Sequence, residues 1–125
     1  MKILIFQSKS ALGFSSGELR AAKNEFYLLK SYGHNVKLIE YGPEKINNIF
    51  IKFFFMLNSI YSFWSYFEIK KIVKIEKPDL IHFHGLFPFL TLSSLIAAKK
   101  SNSKVIITLH NVSLICLEGA FYRKG

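Results

Sequence analysis

Lys77-Pro78-Asp79-Leu80-Ile81-His82-Phe83-His84-Gly85, then an apolar helix-like segment, then Lys104-Val105-Ile106-Ile107-Thr108-Leu109-His110-Asn111 form the stretch that decides the fold. Each end is a short run rich in branched residues that closes on histidine and a turn residue. Branched side chains suit a buried, pleated surface. A strand–helix–strand unit of this length calls for parallel strands joined by a crossover. The runs are read as strands 79–84 and 104–110, with a helix over 89–100 between them. His82 and His84 lie two apart and so share one face of their strand, and His110 ends the next. All three fall at C-terminal strand ends, the edge where open α/β sheets bind ligands.

Upstream, residues 2–7 read as a buried first strand and 35–41 as a second, ended by Gly42-Pro43. Between them Ser15-x-x-Glu18 forms a capping box, and Leu19, Ala22, Phe26 and Leu29 recur at helical spacing. Gly33 stops that helix as a left-handed cap would. Residues 46–76 contain no proline or glycine and are expected to make one long helix or two. Leu57, Ile60, Tyr61 and Trp64 form its expected apolar stripe. Lys70, Lys71, Lys74 and Lys77 crowd its end, where cations favour the helix dipole. The order β-α-β-α-β-α-β predicts a single α/β domain over 1–125 with right-handed crossovers. The tail, 111–125, offers neither a further helix nor a fifth strand, so the last strand is expected to keep apolar surface open.

The chain has 125 residues, net charge +9 and one cysteine. That length suits one domain with a core. A lone Cys116, read as a small buried hydrophobe, excludes an intramolecular disulfide framework and fits a reducing cytoplasm. The apolar run 3–6 is far shorter than a signal h-region and no small-residue cleavage site follows it, so no secretory signal is expected. The uncharged part of the aromatic segment, 53–67, falls below the roughly 18 residues a membrane span needs. Positive charge can serve nucleic acid, an anionic membrane or a phosphate-bearing ligand. The lysines are scattered apart from the 70–77 group and no arginine-rich arm exists, so nucleic acid is not expected as a partner.

The loop 13–17 opens a helix with small residues, which suits either an anion or an ordinary turn. It matches neither a dinucleotide fingerprint nor a Walker loop, and Glu40 alone does not supply one. Glu18 is accounted for by its capping box. Three histidines at a ligand edge point to a cleft in which imidazoles bind hydroxyls or phosphates or move protons near neutral pH. A zinc reading of His82, His84 and His110 lacks a nearby completing ligand, because Asp79 begins its strand at the opposite end, and no metal is expected. Phe53, Phe54, Phe55, Phe63, Trp64, Tyr66 and Phe67 cover more of a helix than a core needs. They fit a helix buried against a partner, or a surface that meets a membrane or lipid-linked substrate.

Taken together, these residues resemble the N-terminal domain of family 4 glycosyltransferases, retaining enzymes built from two Rossmann-like domains (the GT-B fold), and most resemble their bacterial polysaccharide and lipopolysaccharide branch. The resemblance runs over essentially the whole chain. It is carried by Gly17-Glu18, Asn24-Glu25, Gly33-His34-Asn35-Val36, the run 77–84, Phe87-Pro88, Ala97-Ala98 and Thr108-Leu109-His110-Asn111. Leu114-x-Cys116 and Gly119-x-Phe121-x-Arg123-x-Gly125 complete it. It implies a three-layer α/β/α, mostly parallel sheet. His110 would be the catalytic-side residue facing the transferred sugar, and the loop at Ser16 and Gly17 would approach the donor diphosphate or the acceptor. His84, Gly85 and Asn111 would line the acceptor side. Glu18, which follows Gly17 in sequence, and His82, just before His84, are expected to bind substrate as well. The chain departs from the family at Gly85, where asparagine is common, at Ser113 for arginine, and at Leu117-Glu118 for Pro-Asn. No cofactor is implied, the nucleotide-sugar being a substrate.

The family's donor-binding C-terminal domain, with its Glu-x7-Glu pattern, has no counterpart in these residues, so the chain reads as a truncated N-terminal half. The expectation is a part of a glycosyltransferase that passes sugar to a glycan or lipid-linked acceptor. It would work in the cytoplasm, peripheral to the inner face of the plasma membrane, and be inactive alone. The alternative is a non-catalytic anion- or membrane-binding module, or a partner subunit of a split enzyme.

Overall fold

Four runs of branched residues pair as one parallel sheet in the order β2-β1-β3-β4 in the computed structural model, which describes residues 1–9, 17–42, 61–86 and 89–110. The elements are β1 (Lys2–Ser8), α1 (Gly17–Ser31), β2 (Asn35–Tyr41), α2 (Phe63–Glu76), β3 (Leu80–His84), α3 (Leu92–Lys99) and β4 (Lys104–Thr108). The Ser15 cap, Ser16, the 46–60 part of the expected long helix, Phe87-Pro88, Asn111, Cys116 and the rest of the tail lie outside the described residues. So do the departures at Ser113 and Leu117-Glu118.

The central strand is covered on both sides, and Ile3, Leu4, Ile5 and Phe6 are all fully buried. This is why β1 reads as a continuous apolar run rather than an alternation. Leu4, Phe6, Ile81 and Phe83 face one layer, where Ile69 and Val73 of α2 and Ala97 and Ala98 of α3 close over them. Phe6 and Phe83 stack there at 5.2 Å. Ile3 and Ile5 face the other layer, against Ala22, Phe26 and Leu29 of α1. The result is a Rossmann-like three-layer α/β/α domain. Ile106, on the α1 side of β4, stays 48% exposed.

Gly33 has a φ of +80° after α1, the left-handed cap read from sequence. At the end of α2 Lys77 takes that conformation at φ 45°, its N–H donating to the Val73 carbonyl at 2.9 Å just before Pro78. The face of α2 requires a correction. Its buried residues are Ser65, Ile69 and Val73, whereas Trp64, placed on the apolar stripe from sequence, is 75% exposed. One position along a helix is about 100° of rotation, and Ser62 at the N-cap aims Ser65 inward. The Ser65 hydroxyl lies 3.2 Å from Thr91 Oγ1 and 3.0 Å from Ser93 Oγ, joining the starts of α2 and α3 through buried polar groups. Among the described residues no helix is long and apolar enough to cross a membrane.

Candidate active site

Parallel pairing sets the site. Gln7 of β1 stands beside His84, and His84 beside Thr108 of β4. Period-two geometry turns His82 and His84 to the α1 side. There Glu25 of α1 places Oε1 2.6 Å from His82 Nδ1 and Oε2 2.7 Å from His84 Nε2. The far nitrogens are also engaged: His82 Nε2 lies 2.8 Å from Thr108 Oγ1, and His84 Nδ1 lies 3.0 Å from His110 Nε2. The His84 and His110 rings stack at 5.2 Å.

The contacts fix the tautomers. A carboxylate only accepts hydrogen bonds, so His82 Nδ1 and His84 Nε2 carry the protons that point at Glu25. In neutral rings the other nitrogens are then acceptors. Thr108 O–H donates to His82, and His110 Nε2–H donates to His84. His110 is left with an unprotonated Nδ1 that has no hydrogen-bond partner among the described residues, on an exposed ring at the rim. Glu25, His84 and His110 therefore form a line in which a fixed carboxylate orients one imidazole, which orients the next. Burial holds the His84 imidazole below its ordinary range; the neighbouring His82 adds to this and the Glu25 carboxylate opposes it.

Glu25, His82 and His84 are also the described residues that could hold a metal ion, with donor atoms within 4.8 Å of one another. Tetrahedral zinc would hold neighbouring donors about 3.3 Å apart. The two nitrogen–oxygen separations are instead hydrogen-bond lengths with a proton between, so the cluster as built is closed on itself.

Gly85 follows β3 at φ +68°, and a Cβ there would lie 2.6 Å from Glu18 Oε2. The Glu18 carboxylate of the first turn of α1 thus lies against the Gly85 backbone. Gly17 is the exposed first residue of the same helix. Gln7 is buried beneath, its Nε2 donating to the Ser8 carbonyl at 2.9 Å while Oε1 has no partner among the described residues. His34 sits in the turn after α1, away from this group.

The structure therefore gathers Glu18, His82, His84, Gly85 and His110 at one edge, while Ser16 and Asn111 fall outside the described residues. Glu25, Thr108 and Gln7 had not been singled out as site residues. A signal existed for two of them. Glu25 is seven residues from Glu18, hence on the same helix face, and Thr108 is two residues from His110.

The family model of Glycosyltransferase Family 4 matches residues 17–124. No curated protein and no solved structure matches the chain.

Proposed function

The chain belongs to glycosyltransferase family 4, and from that premise we propose that this sheet edge is the acceptor-side wall of a retaining sugar-transfer site. The observation that carries the reading is the Glu25–His84–His110 line, which presents a preset imidazole at the ligand edge. His110 hydrogen-bonds the sugar in transit. His84, Gly85 and Asn111 contact the acceptor, and His82 and Glu18 help to shape that side. The helix start at Gly17, with Ser16 before it in sequence, approaches the donor diphosphate or the acceptor. The donor is a nucleotide-sugar and the acceptor a glycan or lipid-linked glycan of cell-surface polysaccharide synthesis, met at the inner face of the plasma membrane.

One wall does not enclose a donor, so transfer requires a second, donor-binding domain facing this edge, and the wall is inactive without it. That domain can be supplied by a separate subunit, and the wall then serves a split glycosyltransferase unchanged.

The test has two parts. Histidine-ring NMR of the full chain is followed while UDP-glucose, UDP-N-acetylglucosamine, GDP-mannose and a short-chain polyprenyl pyrophosphate sugar are added in turn. At least one is expected to move the His84 and His110 resonances; ring signals that ignore every compound while amides elsewhere shift would place the site wrongly. Transfer is then measured with a donor-binding domain added in trans. His110→Ala is expected to lower the rate by about 10²-fold or more, the usual scale for a positioned proton-transfer or charge-stabilising group.

A further inference from the structure

A second concave feature lies at the other edge of the sheet, between the C-terminal ends of α2 and α3. It is a cleft of about 710 Å³ whose lining includes Lys70, Lys74, Lys77, Lys100 and Lys104, with Asp79 as its carboxylate. Asp79 is already engaged, since its Oδ2 accepts the backbone N–H of Lys2 at 2.6 Å. Lys100 donates to the Tyr66 hydroxyl at 3.1 Å, and Lys70 sits 5.9 Å over the Tyr66 ring. Among the described residues the ammonium groups of Lys74, Lys77 and Lys104 have no carboxylate partner, because the lysine salt bridges involve Lys2, Lys23 and Lys37.

Part of this charge answers the helix ends. Each C-terminus is worth roughly half a negative charge, so two ends and Asp79 together supply about −2. Five lysines supply about +5. The cleft therefore keeps an excess of about three positive charges in a space comparable to a Debye length, where like charges are only partly screened. Such a concentration is relieved by an anion, and lysines bind phosphate as point charges where arginine would favour a planar, two-pronged contact.

The adjoining surface indicates where that phosphate comes from. The outward face of α2 carries Phe63, Trp64 and Phe67, exposed by 71%, 75% and 63%, and continues into Lys70, Lys71 and Lys74. A helix with aromatics along one half of its solvent face and lysines along the other lies in a bilayer interface, rings at headgroup depth and ammoniums on phosphates. We propose that the lysine cleft between α2 and α3 is a binding site for the phosphate of an anionic lipid headgroup, which seats the domain on a membrane through the exposed face of α2. The inference shares the membrane with the proposed transfer reaction but none of its chemistry. Vesicle binding retained in His110→Ala with transfer lost separates the two.

The full chain is floated with phosphatidylcholine vesicles containing or lacking phosphatidylglycerol. It is expected on the former and not the latter. A lysine near an anionic surface is worth roughly a fivefold change in partitioning. The triple variant Lys70→Gln, Lys74→Gln, Lys104→Gln should then bind about a hundredfold more weakly. The charge-matched variant Arg20→Gln, Lys23→Gln, Lys30→Gln on α1 should stay within a few-fold of wild type. Glycerol 3-phosphate added in solution separates the sources. Amide shifts at Lys77, Asn102 and Ser103 would show the phosphate recognised by itself, and vesicle binding without such shifts would show it recognised only in a lipid surface; either supports the site. Equal flotation on both vesicles, or equal losses in the two triple variants, overturns it.

Discussion

The Glu25 carboxylate spans the α1–β3 interface to hold His84 Nε2 at 2.7 Å, and its second oxygen holds His82 at 2.6 Å. Both imidazoles are buried, so each N–H would otherwise lose water without replacement. Charge-assisted hydrogen bonds are worth about 1.5–3 kcal/mol, and an orphaned buried donor costs a similar amount. Glu25→Ala should therefore destabilise the domain by about 2 kcal/mol in urea, with the slope unchanged. Glu25→Gln should lose less, since its amide oxygen still accepts from one ring. A change in Glu25→Ala below about 0.5 kcal/mol, the usual range of surface substitutions, would mean that the carboxylate does not anchor the histidines.

The same cluster makes stability depend on acid. The folded state favours neutral His84, chiefly because the ring is buried, so its pKa lies below the ordinary 6.5. Below that ordinary value the unfolded chain binds the proton first, and stability falls with pH. The contribution of His84 is complete above about pH 6.5 and is lost as pH drops through the folded value. Denaturation midpoints should decline from pH 7.5 to pH 5, and His84→Asn should flatten that decline whatever its effect at neutral pH. An identical pH slope in wild type and variant would remove His84 as its source.

Gly85 and Gly33 offer a controlled comparison. Both have positive φ, at +68° and +80°. A Cβ at Gly33 meets nothing within 4 Å, whereas at Gly85 it meets Glu18 Oε2 at 2.6 Å. Gly33→Ala should cost only the backbone term, about 1–2 kcal/mol. Gly85→Ala should cost more, because the Glu18 carboxylate must also move. Equal costs would show that the Glu18 carboxylate swings aside freely and is not held against Gly85. Gly85→Asn should tolerate the left-handed backbone better than Gly85→Ala but still displace Glu18.

The strands were legible because burial leaves a mark on composition. β1 is apolar from Ile3 to Phe6 since both its faces are covered, and the alternation of Val36 and Leu38 with Lys37 in β2 follows from its edge position. Pro78 and Gly33 marked helix ends for reasons carried by single residues. The shared face of His82 and His84 followed from period two alone. The partner on that face did not, because it depends on which helix crosses which side, and Glu25 looks in sequence like any polar helix residue. The orientation of α2 was misread for a related reason. Trp64 is the most apolar-looking residue of its turn, yet the serine hydroxyls across the α2–α3 contact turn Ser65 inward instead. The lysine cleft was half visible as Lys70, Lys74 and Lys77; Lys100 and Lys104 join it only through helix packing.

Those hydroxyls lead to the last prediction. Ser93 Oγ is fully buried and donates to the Ser62 carbonyl at 2.8 Å, while lying 2.6 Å from Thr91 Oγ1 and 3.0 Å from Ser65 Oγ. Removing it leaves the Ser62 N–H, which donates to it at 3.3 Å, without that partner, and takes one of several hydrogen bonds from the Ser62 carbonyl, Thr91 Oγ1 and Ser65 Oγ. Ser94 Oγ, its buried neighbour, accepts from the Thr91 N–H at 3.3 Å. An unsatisfied buried group costs about 1–3 kcal/mol, so Ser93→Ala should lower stability by about 2 kcal/mol. Ser94→Ala leaves the buried Thr91 N–H without a bond that is already long and should cost about 1 kcal/mol, the low end of that range. The double variant Ser93→Ala, Ser65→Ala should fall short of the summed losses, because deleting both hydroxyls leaves fewer orphans than deleting them separately. Urea midpoints of the variants decide it, and strict additivity would mean that α2 and α3 are held by apolar packing with the hydroxyls incidental.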